Sequence, residues 1–214
     1  MLNLGLCLKS KNFKSQRGIA TKVSKLTIRR SLLKQRRSLS PTEWREKSDR
    51  LISNLRTSPA LIEAQTILAY FSFRQEPDLN PLFTESLEGF NPASKLWGFP
   101  RCIGESLSWH LWQPGEMLVK GAYGILEPAD SAKIIDASQV DVILVPAVGC
   151  DRQGYRLGYG GGFYDRMLSL PEWASKPTIG IVFDFAFLPE LPVDIWDKRL
   201  NGVCTENEIG RAHV

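Results

Sequence analysis

A three-layer α/β domain on a mainly parallel sheet is the fold this sequence predicts, and three observations carry the prediction. Apolar, β-branched runs alternate along the chain with segments of helical period, the pattern of strands joined by helical crossovers. One such run, Val140 to Ala147, leads toward a stretch with four glycines in five residues, Gly158 to Gly162, and a helical segment follows it. That strand–loop–helix order points free backbone N–H groups at an anion. The 214 residues contain no repeat, low-complexity tract or linker. One domain over residues 24–210 therefore holds the core, behind an extension over 1–23 that is either disordered or a targeting segment.

The elements follow in order. Residues 1–23 show no clear period. From Lys25 to Leu39, Ile28 and Leu32 share one helical face, and Arg29, Arg30, Lys34, Arg36 and Arg37 make the rest basic. Ser40-Pro41-Thr42-Glu43 restarts a helix, with Ser40 as N-cap, Pro41 at the first helical position and Glu43 closing a capping box. That helix runs to about Arg56, with Trp44, Leu51, Ile52 and Leu55 inward. Thr66 to Phe73 is rich in β-branched and aromatic residues and reads as a strand. Arg74 to Asp78 then lies at a strand end, where ligand-contacting residues of α/β sheets collect. A short helix over Leu79–Glu88 follows, then a strand over Lys95–Phe99 ending in Pro100-Arg101. The next strand, Leu107–Trp112, puts Trp109 and Leu111 on one face and His110 and Trp112 on the other. Gln113–Glu127, with its glycines and Pro114, reads mostly as loop. After the glycine stretch come a helix over Phe163–Leu170, a last long strand over Pro177–Phe183, and a turn and short final strand over Trp196–Glu206.

Composition is ordinary for a globular chain, 43% apolar and 23% charged. No apolar run approaches the roughly 20 residues of a membrane span, and no secretory signal is present, because Leu4–Leu8 is short and interrupted by glycine. Cys7, Cys102, Cys150 and Cys204 lie far apart and read as reduced thiols. Two histidines cannot build a metal site alone, and His110 reads as a packing or substrate-wall residue. The net charge of +4 is unevenly spread: residues 1–42 hold 11 Lys or Arg and no acid, leaving 16 basic against 23 acidic residues elsewhere. Such a start fits an organellar transit peptide, an RNA-binding arm, or an extension ahead of a basic helix. The near absence of aromatics for base stacking favours the last, with a cytoplasmic protein and little place for nucleic acid.

The glycine stretch fits no common phosphate motif. Walker A is absent, and Phe163 stands where the third glycine of GxGxxG would be. By glycine count alone it equally fits a flexible loop. Its flanks add charge: Arg156 and Arg166 suit phosphate, and Asp165 suits a cation bridging phosphate oxygens.

The ordered string Arg156-Leu-Gly-Tyr-Gly-Gly-Gly-Phe-Tyr-Asp-Arg166, preceded by Val145-Pro-Ala-Val-Gly-Cys-Asp-Arg-Gln-Gly-Tyr155, closely resembles the signature of the 5-formyltetrahydrofolate cyclo-ligase family. The resemblance covers about Lys25 to Glu206. It implies ATP-dependent conversion of 5-formyltetrahydrofolate to 5,10-methenyltetrahydrofolate with Mg²⁺; a monomer is expected, though the sequence itself does not give the oligomeric state. It implies nucleotide contacts from Lys25 and Arg29, four residues apart on one helix face, and from Arg156, Leu157, Gly158, Tyr159, Gly160, Gly161, Gly162, Phe163 and Tyr164. Catalytic roles fall on Arg156, Tyr164 and Asp165. Folate contacts fall on Glu76, Phe71, Trp109, Tyr159, Gly160, Gly161, Gly162 and Phe163, with the Glu76 carboxylate accepting the amino-N–H edge of the pterin. Asp165 and Asp197 match metal ligands, and Asp184 is a weaker competitor for the later position. Phe163 stands where many members have Tyr, which removes one hydroxyl, and Gly161 where some have Lys. Two other readings stay open on the residues alone. One is an enzyme of the same scaffold acting on a sugar phosphate or a thiamine-related compound. The other is a nucleic-acid-binding module using the basic start.

Overall fold

The structure, a computed structural model, describes residues 24–85 and 90–211. The extension over 1–23 lies outside the described residues.

Helix α1 spans Lys25–Arg37, with the Ser24 side chain accepting from the Thr27 N–H. Helix α2 spans Pro41–Arg56, and the capping box is present: Ser40 accepts from the Glu43 N–H while Glu43 reaches back to the Ser40 N–H. Helix α3 (Pro59–Glu63) leads into strand β1 (Thr66–Leu68), and helix α4 (Asn80–Thr84) follows. Then come β2 (Leu96–Ile103), β3 (Ser106–Leu111), β4 (Leu118–Lys120), β5 (Leu126–Pro128), β6 (Val142–Pro146), β7 (Gly149–Asp151) and β8 (Arg156–Leu157). Helices α5 (Phe163–Ser169) and α6 (Pro171–Ala174), then β9 (Thr178–Ile181), β10 (Phe187–Leu188), β11 (Gly202–Cys204) and β12 (Ile209–Arg211) complete the chain.

Seven strands form the main sheet in the order β12-β11-β9-β6-β1-β2-β3. The five central strands run parallel, and β3 and β12 pair antiparallel at the two edges. The central strands are buried on both faces, as parallel strands covered by helices must be. Alternate residues divide between two cores. Ile67, Val142, Leu144, Ile179 and Ile181 meet Leu51, Leu55, Leu61, Leu82 and Phe83 of α2, α3 and α4. Leu68, Ile143, Val145 and Val203 meet Leu32 of α1 and Met167 and Leu168 of α5. Helix, sheet, helix is the three-layer order expected.

Several boundaries differ from the sequence reading. Thr66–Phe73 pairs only through Leu68, with Ala69 giving one last N–H to the Gly98 carbonyl. The rest leaves the sheet, and Phe71 stacks on Phe99 at 4.1 Å. Those residues earn their extended form by packing rather than by a ladder. Strand β2 runs past Phe99 through Pro100. The Gly98 carbonyl faces β1, so Pro100, two residues on, faces the same side beyond the end of β1, where no N–H is needed. The span 113–127, expected as loop, contains β4 and pairs it with β5. Two further short strands, β7 and β8, stand between β6 and the glycine loop, so the loop follows a hairpin rather than the main-sheet strand directly. Strands of two or three residues are too short for periodicity to show. His110 is a structural residue, its ring bonded to Ser108 Oγ and the Ala132 carbonyl. Cys102, Cys150 and Cys204 are free thiols. No described helix is long and apolar enough to cross a membrane.

Candidate active site

At one end of the sheet a cleft of about 590 Å³ opens between α1, the stretch after β1, the glycine loop and the turn before β11. Of the residues singled out from the sequence as site residues, Trp109, Arg166 and Asp184 lie outside its lining and the others line it. Trp109 is 1% exposed in the α1/α5 core, and its indole N–H points at the Met167 sulfur, 3.1 Å away. It packs edge-on to Tyr164 and supports the cleft from beneath instead of walling it.

Helix α1 contributes two cations, Lys25 and Arg29, to one side, and a third, Arg36, lies behind the lining. Lys25 Nζ contacts Asp194, 2.7 Å away, and more closely Asp197. Arg29 Nε donates to the Gly158 carbonyl at 2.8 Å, so the helix grips the glycine loop directly. Arg36, two turns further on, is 4% exposed and reaches the Tyr159 hydroxyl and the Arg74 carbonyl. The spacing that put Lys25 and Arg29 on one face thus turns part of the basic helix into the cleft, away from a nucleic-acid surface. Burial pulls the Lys25 ammonium down, and Asp194 and Asp197 outweigh it, so its pKa ends above the ordinary lysine value.

The glycine loop makes the floor. Gly160 (φ +108°) and Gly162 (φ +68°) occupy left-handed backbone that other residues rarely adopt, and Gly162 caps α5. Arg156 lies just before the loop, 8% exposed. Its Nη2 sits 2.9 Å from Asp165 Oδ2, but the oxygen lies off the N–H direction. Nη2 and Nε of Arg156 and the hydroxyl of Tyr164 have no hydrogen-bond partner among the described residues. Three buried polar atoms without partners, on two residues that line one cleft, are rare in native proteins. Burial pushes the Tyr164 phenol well above its ordinary pKa, so it remains a donor throughout the neutral range. Asp165 Oδ1 also accepts the Lys198 N–H at 3.3 Å, which brings it beside the Asp197 turn. Arg166 turns away: its guanidinium is fixed to the Glu105 carbonyl and lies over the Phe163 ring, outside the cleft. Asp184 is likewise outside it, with its N–H bonded to Glu206.

Opposite the loop, Arg74 and Gln75 carry left-handed φ angles of 49° and 58°, and Glu76 follows them. The strap they form is held by the indole N–H of Trp44 on the Glu76 carbonyl, 2.9 Å away, and by Ser72 Oγ on the same oxygen. Glu76 Oε2 accepts the Phe73 N–H at 3.0 Å, and the residue is 4% exposed. Burial raises its pKa to about 7, opposed mainly by Arg36.

Sequence reasoning missed Asp194, Arg36, and the aromatic rim of Tyr123 and Trp196. Asp194 carried one usable signal, its position three residues before Asp197, so that its own N–H is bonded by the Asp197 carboxylate at 2.7 Å. Arg36 looked like one more solvated charge.

Comparison with known proteins gives the family. The model of the 5-formyltetrahydrofolate cyclo-ligase family matches residues 21–206. The chain is 30% identical over 176 residues to the 5-formyltetrahydrofolate cyclo-ligase of Escherichia coli, spanning 82% of this chain and 96% of that protein. It is 34% identical over 194 residues to the enzyme of that name from Mycolicibacterium smegmatis, spanning 85% and 93%. The NMR structure of Aquifex aeolicus 5,10-methenyltetrahydrofolate synthetase superposes with a TM-score of 0.76 at 33% identity, over 89% of this chain and 93% of that one. With the family model spanning nearly all of the described fold and the cleft residues in place, this chain belongs to the 5-formyltetrahydrofolate cyclo-ligase family.

Proposed function

We propose that this chain cyclises 5-formyltetrahydrofolate to 5,10-methenyltetrahydrofolate at the expense of ATP, releasing ADP and phosphate. Besides family membership, one observation carries the reading. Arg156, whose Nε and Nη2 lack hydrogen-bond partners among the described residues, and Tyr164, whose hydroxyl does too, line a single cleft, with a glycine loop and two α1 cations on one side and a buried carboxylate on the other. That is a site for two ligands, one rich in phosphate and one presenting N–H groups.

The chemistry needs position more than reactive side chains. The oxygen of an N5-formyl group is a poor leaving group. When it attacks the γ-phosphorus, the bond to ADP breaks and the formyl carbon becomes electrophilic. N10 of the same folate then attacks that carbon, phosphate departs with the former formyl oxygen, and N10 gives up its proton. Lys25 and Arg29 would hold the nucleotide phosphates against the N–H groups of the glycine loop. Arg156 and Tyr164 would donate to the oxygens that gain charge in the transfer, where preorganised donors are worth most. Glu76 would fix the pterin, with Phe71 against its face.

Asp165 and Asp197 are hard oxygen donors on the same cleft, and each now has a cation of the chain beside it, Arg156 and Lys25. Among the described residues no group of three or more His, Cys, Asp or Glu could hold a metal unaided. Such a pair fits Mg²⁺ arriving with phosphate oxygens, the usual way this ion is held. When bound there it would neutralise charge on the β- and γ-phosphates.

The primary test is the absorbance of methenyltetrahydrofolate formed with and without ATP. Product without ATP, or none with it, would overturn the reading. For the metal pair, Asp165→Asn is expected to lower kcat by ~10-fold or more and to raise the Mg²⁺ concentration needed, because an amide is a poorer ligand for a hard cation. Asp197→Asn should behave alike, and Asp184→Asn, outside the cleft, should match the parent. A Mg²⁺ requirement unchanged in both site variants would remove these carboxylates from metal binding.

A further inference from the structure

We infer that Arg36 is the positioning residue of the folate half of the site: its buried guanidinium ties Tyr159 and the end of β6 to the Arg74–Glu76 strap and so sets the surroundings of the Glu76 carboxylate. The inference rests on Glu76 as the pterin acceptor and adds how that acceptor is kept competent.

An arginine 4% exposed ought to have a carboxylate partner, since a buried charge is costly unless compensated. Among the described residues Arg36 forms no ion pair. Its N–H groups go instead to the Arg74 carbonyl at 3.1 Å, the Ala147 carbonyl at 3.5 Å and the Tyr159 hydroxyl. These three acceptors belong to three segments: the strap, the end of β6, and the glycine loop. Having accepted from Arg36, the Tyr159 hydroxyl keeps its own proton free to donate. Burial pushes that phenol up to about 12, so it stays a donor at working pH. Arg36 and Tyr159 are thus bonded to each other, and both act on Glu76.

The strap itself is strained. Arg74 and Gln75 are successive non-glycine residues with left-handed φ, a conformation that persists only when its surroundings over-determine it. Arg36 supplies one of the bonds that do so, on the Arg74 carbonyl. The titratable and charged groups facing Glu76 are Arg36 from α1, Arg74 from its own strap, Tyr159 and Tyr164 from the loop and α5, and Tyr70 from the stretch after β1. Arg36 is the largest influence opposing burial at Glu76. A carboxylate that was neutral at pH 7 would present a proton to the pterin's own donors.

The test reads Glu76 directly, through ¹³C-carboxyl NMR of glutamate-labelled protein without ligand, the resonance being assigned by its loss in Glu76→Gln. In the parent it is expected to titrate near 7. In Arg36→Met, which keeps the aliphatic stem, the midpoint is expected to rise by about one unit or more, because the protonated form is then favoured over the charged one. The ionised fraction at pH 7 would drop from about a half to about a tenth, so 5-formyltetrahydrofolate affinity at pH 7 falls ~5-fold or more and partly recovers by pH 9. Arg36→Lys restores a charge and should return the midpoint to within ~0.5 unit of the parent. Arg36→Gln, a second neutral variant that can still donate to a carbonyl, replaces Arg36→Met if that protein does not fold. A merely structural arginine would lower thermal stability and leave the midpoint where it was; that result overturns the inference. If the midpoint moves as expected but Glu76→Gln binds folate as tightly as the parent, Arg36 still governs Glu76 and the pterin reading of Glu76 is what fails.

Discussion

Glu76→Gln is expected to cost this protein ~30-fold or more in 5-formyltetrahydrofolate affinity, a loss on the order of 2–5 kcal/mol, while ATP binding stays within about two-fold. The substitution keeps the shape of a residue that is 4% exposed and held by the Phe73 N–H. It removes a charged acceptor and turns one oxygen into an NH₂ that faces the pterin's own donors. The nucleotide half is spared because Lys25, Arg29 and the glycine loop make no contact with that carboxylate except through Tyr159. Calorimetry with each substrate alone separates the two. Parent-like folate binding by the variant would sink the assignment and bring the sugar-phosphate reading forward.

The same side chain makes a stability prediction with a definite sign. The Glu76 pKa is raised on folding, from the usual carboxylate range to about 7. Between those values the folded state binds the extra proton, so stability falls as pH rises through this window. Glu76→Gln, which never ionises, should therefore be more thermostable than the parent above pH 7, by up to about 3 kcal/mol, and show no such advantage near pH 4. A gain in stability with a loss of binding is what a group kept for function at a structural cost would give. Unfolding curves at pH 4.5 and 8 check it.

What the sequence disclosed and what it hid follow from how each interaction is encoded. Local devices were legible: Ser40 and Glu43 write the capping box within four residues, and Val142 to Pro146 writes a strand buried on both faces in its composition. The glycine stretch and its ordered flanks were legible as a family signature. Trp109 shows the limit. An aromatic on a strand reads the same whether it walls a ligand or fills a core, and only the packing of α5 against β3 decides for the core. Arg166 has the right charge beside the right loop, yet Glu105, 61 residues away in sequence, takes its guanidinium. Arg36 was hidden for the opposite reason. Its three acceptors come from residues 74, 147 and 159, distant pieces that meet only when β1, β6 and the glycine loop come together at one end of the sheet.

For the glycine loop the expected result is a ranking. Gly160→Ala should weaken ATP binding more than Gly161→Ala, and Gly160→Val most of all. Gly160 sits at φ +108°, where any side chain is strained whatever the space, and a Cβ there would point toward the Arg29 guanidinium 4.0 Å away. Holding such a backbone without glycine costs ~1–3 kcal/mol, so the loop relaxes to another course. Its N–H groups then leave the phosphates, and affinity falls ~10- to 100-fold. Gly161 has no positive φ; a Cβ meets only the Phe163 ring at 3.0 Å, which can give by a few tenths of an ångström. Since the loop adds little to either core, all three variants should unfold within a few degrees of the parent, and folate affinity in Gly160→Ala should drop less than ATP affinity does. Nucleotide binding by calorimetry, with thermal unfolding as the control, measures both. Equal ATP affinities for Gly160→Ala, Gly160→Val and the parent, in folded protein, would take the phosphates away from this loop.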